Sequence, residues 1–141
     1  MLGQMQKMPR LATLSLIAPL ALSACAAARS APPDPAPLPD ASSVALGQRA
    51  YADGPIIQPV QVLEDSRCPE NVMCVWAGQV RLKMLWLRPG GRTQSFEAIL
   101  GRPMPLADGT ILLESVTPAR HTGRPIKPED YRFSFRFDGG L

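Results

Sequence analysis

Catalytic motifs are scarce in this 141-residue chain, which has one histidine, three cysteines and 6% aromatic residues. It contains no G-x-S-x-G nucleophile turn, no phosphate-binding loop and no glycine-rich dinucleotide turn. The histidine, His121, shares its segment with Arg120 and Arg124, and neighbouring positive charge disfavours protonation of an imidazole. We therefore predict that His121 is a solvated loop histidine and that the chain has no catalytic residues. These observations favour a function other than catalysis.

Helical periodicity is also missing, because no 3.6-residue apolar repeat continues beyond two turns. Short runs of alternating apolar and polar residues take its place, and the clearest is 131–137, where four aromatic residues alternate with polar ones. The pattern predicts an all-β domain of six or seven antiparallel strands, either a small β-sandwich or a half-open barrel. Strands are expected at 44–51, 56–64, 74–87, 93–100, 110–117 and 131–137, with a loop at 101–109 and a helical turn at 128–130.

The N-terminal segment 1–24 has the layout of an export signal, with Lys7 and Arg10 followed by an apolar run too short to span a membrane. The sequence Leu-Ser-Ala-Cys that ends at Cys25 resembles the bacterial lipobox, whose cysteine becomes the first mature residue and carries diacylglycerol and an N-acyl chain such as palmitate. The alternative is an ordinary signal cut at an A-x-A site around Cys25. The lipoprotein interpretation is favoured because the cysteine directly follows the apolar run. By resemblance to Gram-negative lipoproteins, the alanine after it favours the outer membrane, with the protein facing the periplasm.

Net charge gives little indication of a partner. The full chain carries +3, but Lys7 and Arg10 leave with the signal, so the mature chain carries +1. So small a charge does not predict a nucleic-acid partner. We expect contact with the membrane through the lipid anchor, and with an envelope protein or glycan.

A proline-rich tether is predicted between the anchor and the domain. Residues 26–43 contain five prolines among alanine, aspartate and serine, a composition typical of an extended, disordered spacer. Eighteen residues at about 3.1 Å each would reach roughly 55 Å. The predicted organisation is therefore signal peptide 1–24, lipidated cysteine and tether 25–43, and β-domain 44–141.

The densest group of distinctive residues is the block 65–78, DSRCPENVMCVWAG. If Cys25 carries lipid, Cys68 and Cys74 remain as a pair in an oxidising compartment, where a disulfide is the favoured interpretation. Their spacing differs from the C-x2-C of thioredoxin-like oxidoreductases. Free redox thiols remain an alternative, as does a soft copper site. The metal site would add ligands from His121, Met73, Met84 or Met104, but no metal or other cofactor is predicted.

The same block supplies a candidate binding patch of Asp65, Arg67 and Trp76, in which an indole would lie beside a guanidinium group. The favoured interpretation is structural: Asp65 forms a turn, Arg67 pairs with Asp65 or Glu70, and Trp76 packs on the disulfide or the core.

Basic residues are expected on the outward strand faces, together with Glu97 and Glu114. Cross-strand ion pairing explains them most simply, and contact with anionic lipid or glycan is the alternative. The basic residues are Arg81, Lys83, Arg132 and Arg136.

The block DSRCPENVMCVWAG, with the later stretch LLESVTPARHTGRPIKPEDYRFSFRF, resembles a group of small exported bacterial proteins, many of them lipoproteins. Members share a DSRCP…C…WAG block and a closing P…G.PI.PEDY…R strand, and the group has no established activity. The resemblance implies an all-β exported domain in which Cys68 and Cys74 pair. Our interpretation is a lipid-anchored envelope protein with a binding or scaffolding domain. The alternative is a small envelope enzyme or protease inhibitor acting through the Cys68–Cys74 loop.

Overall fold

The structure is a computed structural model that describes residues 36–140. The predicted signal peptide, Cys25 and the first part of the predicted tether lie outside the described residues. Across the described part of the chain, no helix has the length and apolarity needed to cross a membrane.

Two antiparallel sheets form the domain, and they do not close into a barrel. The strands of the first sheet are β1 (Ala50–Tyr51), β2 (Ile56–Asp65), β3 (Val80–Arg88) and β4 (Arg92–Ile99). Those of the second are β5 (Met104–Leu106), β6 (Gly109–Thr117) and β7 (Arg132–Gly139). The first sheet has the order β1-β2-β3-β4 and the second β5-β6-β7, so within each sheet the strands follow their order in sequence. The all-β prediction is confirmed, in its sandwich form.

The inner faces of the two sheets meet in one apolar core. Phe133 on β7 is fully buried and stacks on Tyr131, with ring centroids 5.7 Å apart. The alternation predicted for 131–137 is confirmed, since its four aromatic residues are all buried. The largest fully buried side chains from the other elements are Ile57, Leu82, Met84, Ile111, Leu113, Val44 and Val80.

The segment before β1 joins the domain earlier and less regularly than predicted. The Tyr51 amide donates to the Pro39 carbonyl at 2.9 Å, and the Phe135 amide donates to the Ala41 carbonyl at 2.8 Å. Residues 39–43 therefore belong to the domain, although their composition indicated tether. The strand predicted at 44–51 is wrong for most of its length. Val44 bridges to Phe133 on the second sheet, and a turn at Gly47, with φ +79°, leads the chain to the first.

Three further predictions need correction. The strand predicted at 74–87 begins only at Val80, and a short strand, β5, occupies part of the predicted loop 101–109. In β6, strict alternation would place Val116 on the outer face with Glu114. The register shifts between Leu113 and Ser115, and this bulge returns Val116 to the core. The turn predicted at 128–130 is confirmed as a 3-10 turn.

Candidate functional site

A disulfide closes the long connection between β2 and β3. Cys68 and Cys74 are bonded, with their Cα atoms 5.8 Å apart. The predicted disulfide is confirmed, and the alternatives of free thiols and of a cysteine-ligated metal are wrong because both sulfurs are taken. Within residues 36–140, no group of three or more histidine, cysteine or acidic side chains is arranged to hold a metal ion.

The base of this connection continues the β2–β3 hairpin beyond the sheet. The Ser66 amide donates to the Gln79 carbonyl at 2.9 Å, and the Cys68 amide donates to the Ala77 carbonyl at 3.2 Å. Gly78 makes this close approach possible: its φ is +68°, and a Cβ placed there would lie 1.8 Å from the Ser66 carbonyl oxygen. The glycine of the WAG sequence is therefore required by backbone contact.

The disulfide loop, residues 68–74, rests on the connection between β6 and β7. The Glu70 amide donates to the Arg120 carbonyl at 2.9 Å, and the Thr122 amide donates to the Asn71 side-chain oxygen at 2.9 Å. His121 is half exposed and its Nε2 lies 3.2 Å from a Glu70 carboxylate oxygen. His121 is thus the loop histidine predicted, and it takes part in holding the two loops together.

Asp65 and Arg67 form a largely buried ion pair under the loop. The guanidinium donates to both carboxylate oxygens, and Tyr131 donates its hydroxyl to Asp65 Oδ2 at 2.9 Å. Arg67 also donates to the carbonyls of Val116 and Pro118, at 2.7 and 3.0 Å. Every polar group in this cluster, which we call the Asp65 network, is satisfied within the protein.

Protonation in the Asp65 network follows from these contacts. Burial raises the pKa of Asp65, but the hydrogen bonds from Arg67 and Tyr131 and the charge of Arg67 outweigh it, so its pKa is lowered. Burial, together with the hydrogen bond to Asp65 and its negative charge, raises the pKa of Tyr131 to about 12. At neutral pH, Asp65 is therefore a carboxylate and Tyr131 a neutral phenol. This state favours the hydrogen bond between them and so a structural role for the network.

Two residues of the disulfide loop and the two that follow Cys74 form an exposed apolar surface. Met73 is fully exposed, Val75 is 92% exposed, Trp76 is 82% exposed, and Val72 is 44% exposed. We call these four residues the apolar tip. The prediction that Trp76 packs on the disulfide or the core is wrong. The tip lies in the connection between β2 and β3, outside both strands, and none of its residues belongs to the apolar core.

The predicted patch of Asp65, Arg67 and Trp76 is not one exposed surface. The Asp65 and Arg67 side chains are 8% and 15% exposed, whereas Trp76 projects into solvent. Sequence analysis missed Tyr131 as a partner of Asp65 and missed Val72, Met73 and Val75 as companions of Trp76. One signal was present: the segment 71–79 contains no charged residue although it belongs to a loop.

A cleft of about 490 Å³ opens beside the disulfide loop. Arg120, His121 and Arg124 line it together with Asp65, Ile126 and Tyr131. Arg120 donates to the Arg67 carbonyl at 2.6 Å, which fixes its position over the Asp65 network. Arg124 is exposed, and no carboxylate of the described residues pairs with it. We call this feature the arginine cleft.

The outward strand faces show the ion pairing predicted for them. Arg81 lies 3.0 Å from Glu97 and 3.5 Å from Glu64, and Arg136 lies 3.0 Å from Glu114. These pairs are exposed and contribute little to stability. Arg132 instead donates to backbone carbonyls at 2.7 and 2.8 Å, and Lys83 is exposed.

Comparison of the chain with protein-family models, with curated proteins and with solved structures found no match.

Proposed function

We propose that this protein is a lipid-anchored binding domain of the cell envelope that contacts its partner through the apolar tip. The observation that carries the proposal is that four exposed apolar side chains lie on or next to a loop whose conformation is held by three sets of bonds. The disulfide, the hairpin bonds to Ser66 and Cys68, and the bonds to the β6–β7 connection all constrain the loop.

Exposed side chains of this kind favour binding over catalysis. Tryptophan is among the residues that contribute most to binding energy, and Met and Trp are both enriched at interfaces. A loop that is already ordered loses less conformational entropy when a partner binds. The polar groups below the tip, by contrast, bond to one another, since Asp65 accepts hydrogen bonds from both Arg67 and Tyr131.

Attachment to the outer membrane through Cys25 is part of the proposal. It is supported by the lipobox-like sequence that ends at Cys25 and by the proline-rich segment that follows it. Two or three acyl chains would hold the protein firmly, because each buried methylene contributes about 0.8 kcal/mol. Replacing Cys25 by alanine and following the incorporation of labelled fatty acid into the protein tests the anchor. We expect the variant to lose the label, and an acylated C25A protein would contradict the anchor.

Binding through the tip is tested by crosslinking the full-length protein in its own envelope with a photoreactive reagent that captures proteins and lipids alike, followed by purification. The test variant is Val75→Ser with Trp76→Ser, and the matched control is Val60→Ser with Leu63→Ser. Val60 and Leu63 are 40% and 39% exposed on β2. We expect the tip variant to lose the crosslinked products and the control to keep them. Equal products from both variants would contradict a role for the tip.

A second candidate function is inhibition of an envelope protease, and the fully exposed Met73 within a disulfide-closed loop favours it. Such a loop offers a protease a segment whose conformation is already fixed. Incubating the full-length protein with envelope proteases tests this function, with Cys68→Ser and Cys74→Ser combined as the comparison. Inhibition should require the disulfide. Absence of inhibition by the intact protein would eliminate this candidate.

A further inference from the structure

We propose that the partner of the apolar tip is an anionic phospholipid bilayer, with the tip entering the interface and the arginine cleft facing the headgroups. This inference rests on the proposed function and names its partner. The described residues bring together, on one end of the domain, an apolar projection and a group of cations. A bilayer with anionic lipids offers the complementary pair of surfaces.

The composition of the tip suits the membrane interface. Its four apolar side chains lie within 71–79, a stretch without any charged residue. Tryptophan concentrates at the level of the headgroups, where its ring meets the acyl chains and its N–H meets polar groups. The tip is exposed and belongs to no strand, so it can enter the interface without unfolding any strand of the domain.

The loop beside the tip supplies the positive charge. Residues 118–127, between β6 and the 3-10 turn, contain Arg120, His121, Arg124 and Lys127 and no acidic residue. Arg124 and Lys127 are exposed, and neither forms an ion pair within residues 36–140. Glu70 pairs with His121 of this loop, and Asp65 of the arginine cleft is already paired with Arg67. Anionic headgroups would be attracted to the two free cations, and this attraction weakens as salt concentration rises.

The apolar tip and the arginine cleft are connected by hydrogen bonds and so form one surface. The disulfide loop and the loop 118–127 are joined by the bonds of Glu70 to Arg120 and of Asn71 to Thr122. When the tip enters the interface, the arginine cleft must therefore follow it toward the headgroups. A protein partner would need a groove shaped to accept this apolar projection and acidic groups placed to meet the cations beside it. Any anionic bilayer offers both complementary surfaces.

The length of chain between Cys25 and the domain permits this contact. The chain enters the domain at Pro39, beside Tyr51 and hence at the end of the sheet opposite the tip. Leu87 lies at that end of the sheet and Trp76 precedes it by 11 residues, a span of at most roughly 36 Å at about 3.3 Å per residue. The 14 residues from Cys25 to Leu38 would span about 43 Å when fully extended as polyproline II. An anchor at Cys25 would therefore let the tip reach the membrane that holds it.

Quenching of Trp76 by lipid tests the inference in the full-length protein. Replacing Trp86 by phenylalanine leaves Trp76 as the single tryptophan. The protein is incorporated into vesicles of phosphatidylethanolamine and phosphatidylglycerol, with either brominated or ordinary acyl chains. We expect brominated chains to lower the emission of Trp76 by about half or more, since a tryptophan at the interface lies next to them.

Matched variants separate the tip from the rest of the chain. Trp76→Phe, which leaves only Trp86, should show little quenching in the same vesicles. Arg124→Gln with Lys127→Gln should reduce the quenching of Trp76, as should phosphatidylcholine vesicles or raised salt. Unquenched Trp76 emission would overturn the inference. If crosslinking through the tip persisted in that case, the proposed function would stand and the partner would be a protein or glycan. If both failed, the proposed function would fall as well.

Discussion

Arg67 donates two hydrogen bonds to the Asp65 carboxylate, from Nε to Oδ1 at 2.8 Å and from Nη2 to Oδ2 at 2.7 Å. The pair is largely buried, and Arg67 also donates to the carbonyl of Val116 in β6 and to that of Pro118 just after β6. The ion pair therefore connects the end of β2 to the second sheet, and it supports the loop that carries the apolar tip.

Replacing Arg67 by alanine should destabilise the domain severely. The substitution leaves the Asp65 carboxylate buried without its cation, and breaking a buried pair in this way costs about 3–5 kcal/mol. Arg136→Ala is the matched control, because its pair with Glu114 is exposed and should be worth about 1 kcal/mol or less. Urea unfolding of the two variants measures the difference. Equal losses would show that the Asp65 network does not stabilise the fold.

Stability should also fall at high pH because of Tyr131. Its pKa is raised to about 12 in the folded protein, whereas an unfolded tyrosine titrates near 10. The unfolded state therefore loses its proton first, so this contribution is complete below pH 10 and disappears as the pH rises toward 12. Tyr131→Phe should remove this part of the alkaline loss. Unfolding free energies measured from neutral to alkaline pH would contradict the account if both proteins declined in parallel.

Stability should also fall at low pH because of Asp65. Its folded pKa lies below the ordinary value of 3.8, so the stabilisation is present above that value and is lost as the pH falls through the folded pKa. Asp65→Asn should lower stability at neutral pH and flatten the acid limb of the stability curve. Urea titrations across the acid range measure both effects, and an unchanged acid limb in the variant would count against the ion pair.

Gly78 and Gly123 form a controlled comparison for the shape of the loop. Both have positive φ, +68° and +77°, so an alanine at either position adopts an unfavourable conformation. At Gly78 the added Cβ would also collide with the Ser66 backbone, whereas at Gly123 it would meet nothing within 4 Å. Gly78→Ala should therefore lower the thermal midpoint considerably more than Gly123→Ala. A similar loss in both variants would contradict the close approach of the strands at Ser66.

The two tryptophans should report different environments. Trp76 is 82% exposed, so a protein with Trp86→Phe should emit at the long wavelength of a solvated indole and be quenched efficiently by acrylamide. Trp86 packs against the core and lies under the Arg88 guanidinium, 4.9 Å from its ring centroid. Trp76→Phe should therefore give emission at shorter wavelength. Trp76→Ser should change stability by about 0.5 kcal/mol or less, as surface substitutions do. A larger loss would restore a structural role for Trp76.

Local patterns predicted most strands of the fold, because alternation records which residues face the core. It failed where backbone irregularities reset that alternation, as at the bulge that returns Val116 to the interior. It also failed before β1, where hydrogen bonds to residues distant in sequence hold Pro39 and Ala41. Composition records none of these bonds, so it indicated tether where the structure has domain.

The candidate site was predicted only in part, for a related reason. The expected lipidation of Cys25 left Cys68 and Cys74 as a pair and so favoured their disulfide, which the structure contains. The contact between Asp65 and Tyr131 spans 66 residues, so only the packing of the two sheets reveals it. Trp76 shows a further limit, since an aromatic side chain ordinarily predicts burial. Its exposure follows from its place in the connection between β2 and β3, outside both strands.

The central claim, that the apolar tip is the surface that binds, is tested most directly by photo-crosslinking from position 73 in living cells. A photoreactive amino acid replaces Met73 in the full-length protein, and a second variant carries it at Ser95, which is exposed on β4. We predict crosslinked products from position 73 that are absent from position 95 and that disappear when Trp76→Ser is added. Products from position 95 alone, or products from position 73 that persist without Trp76, would contradict the account.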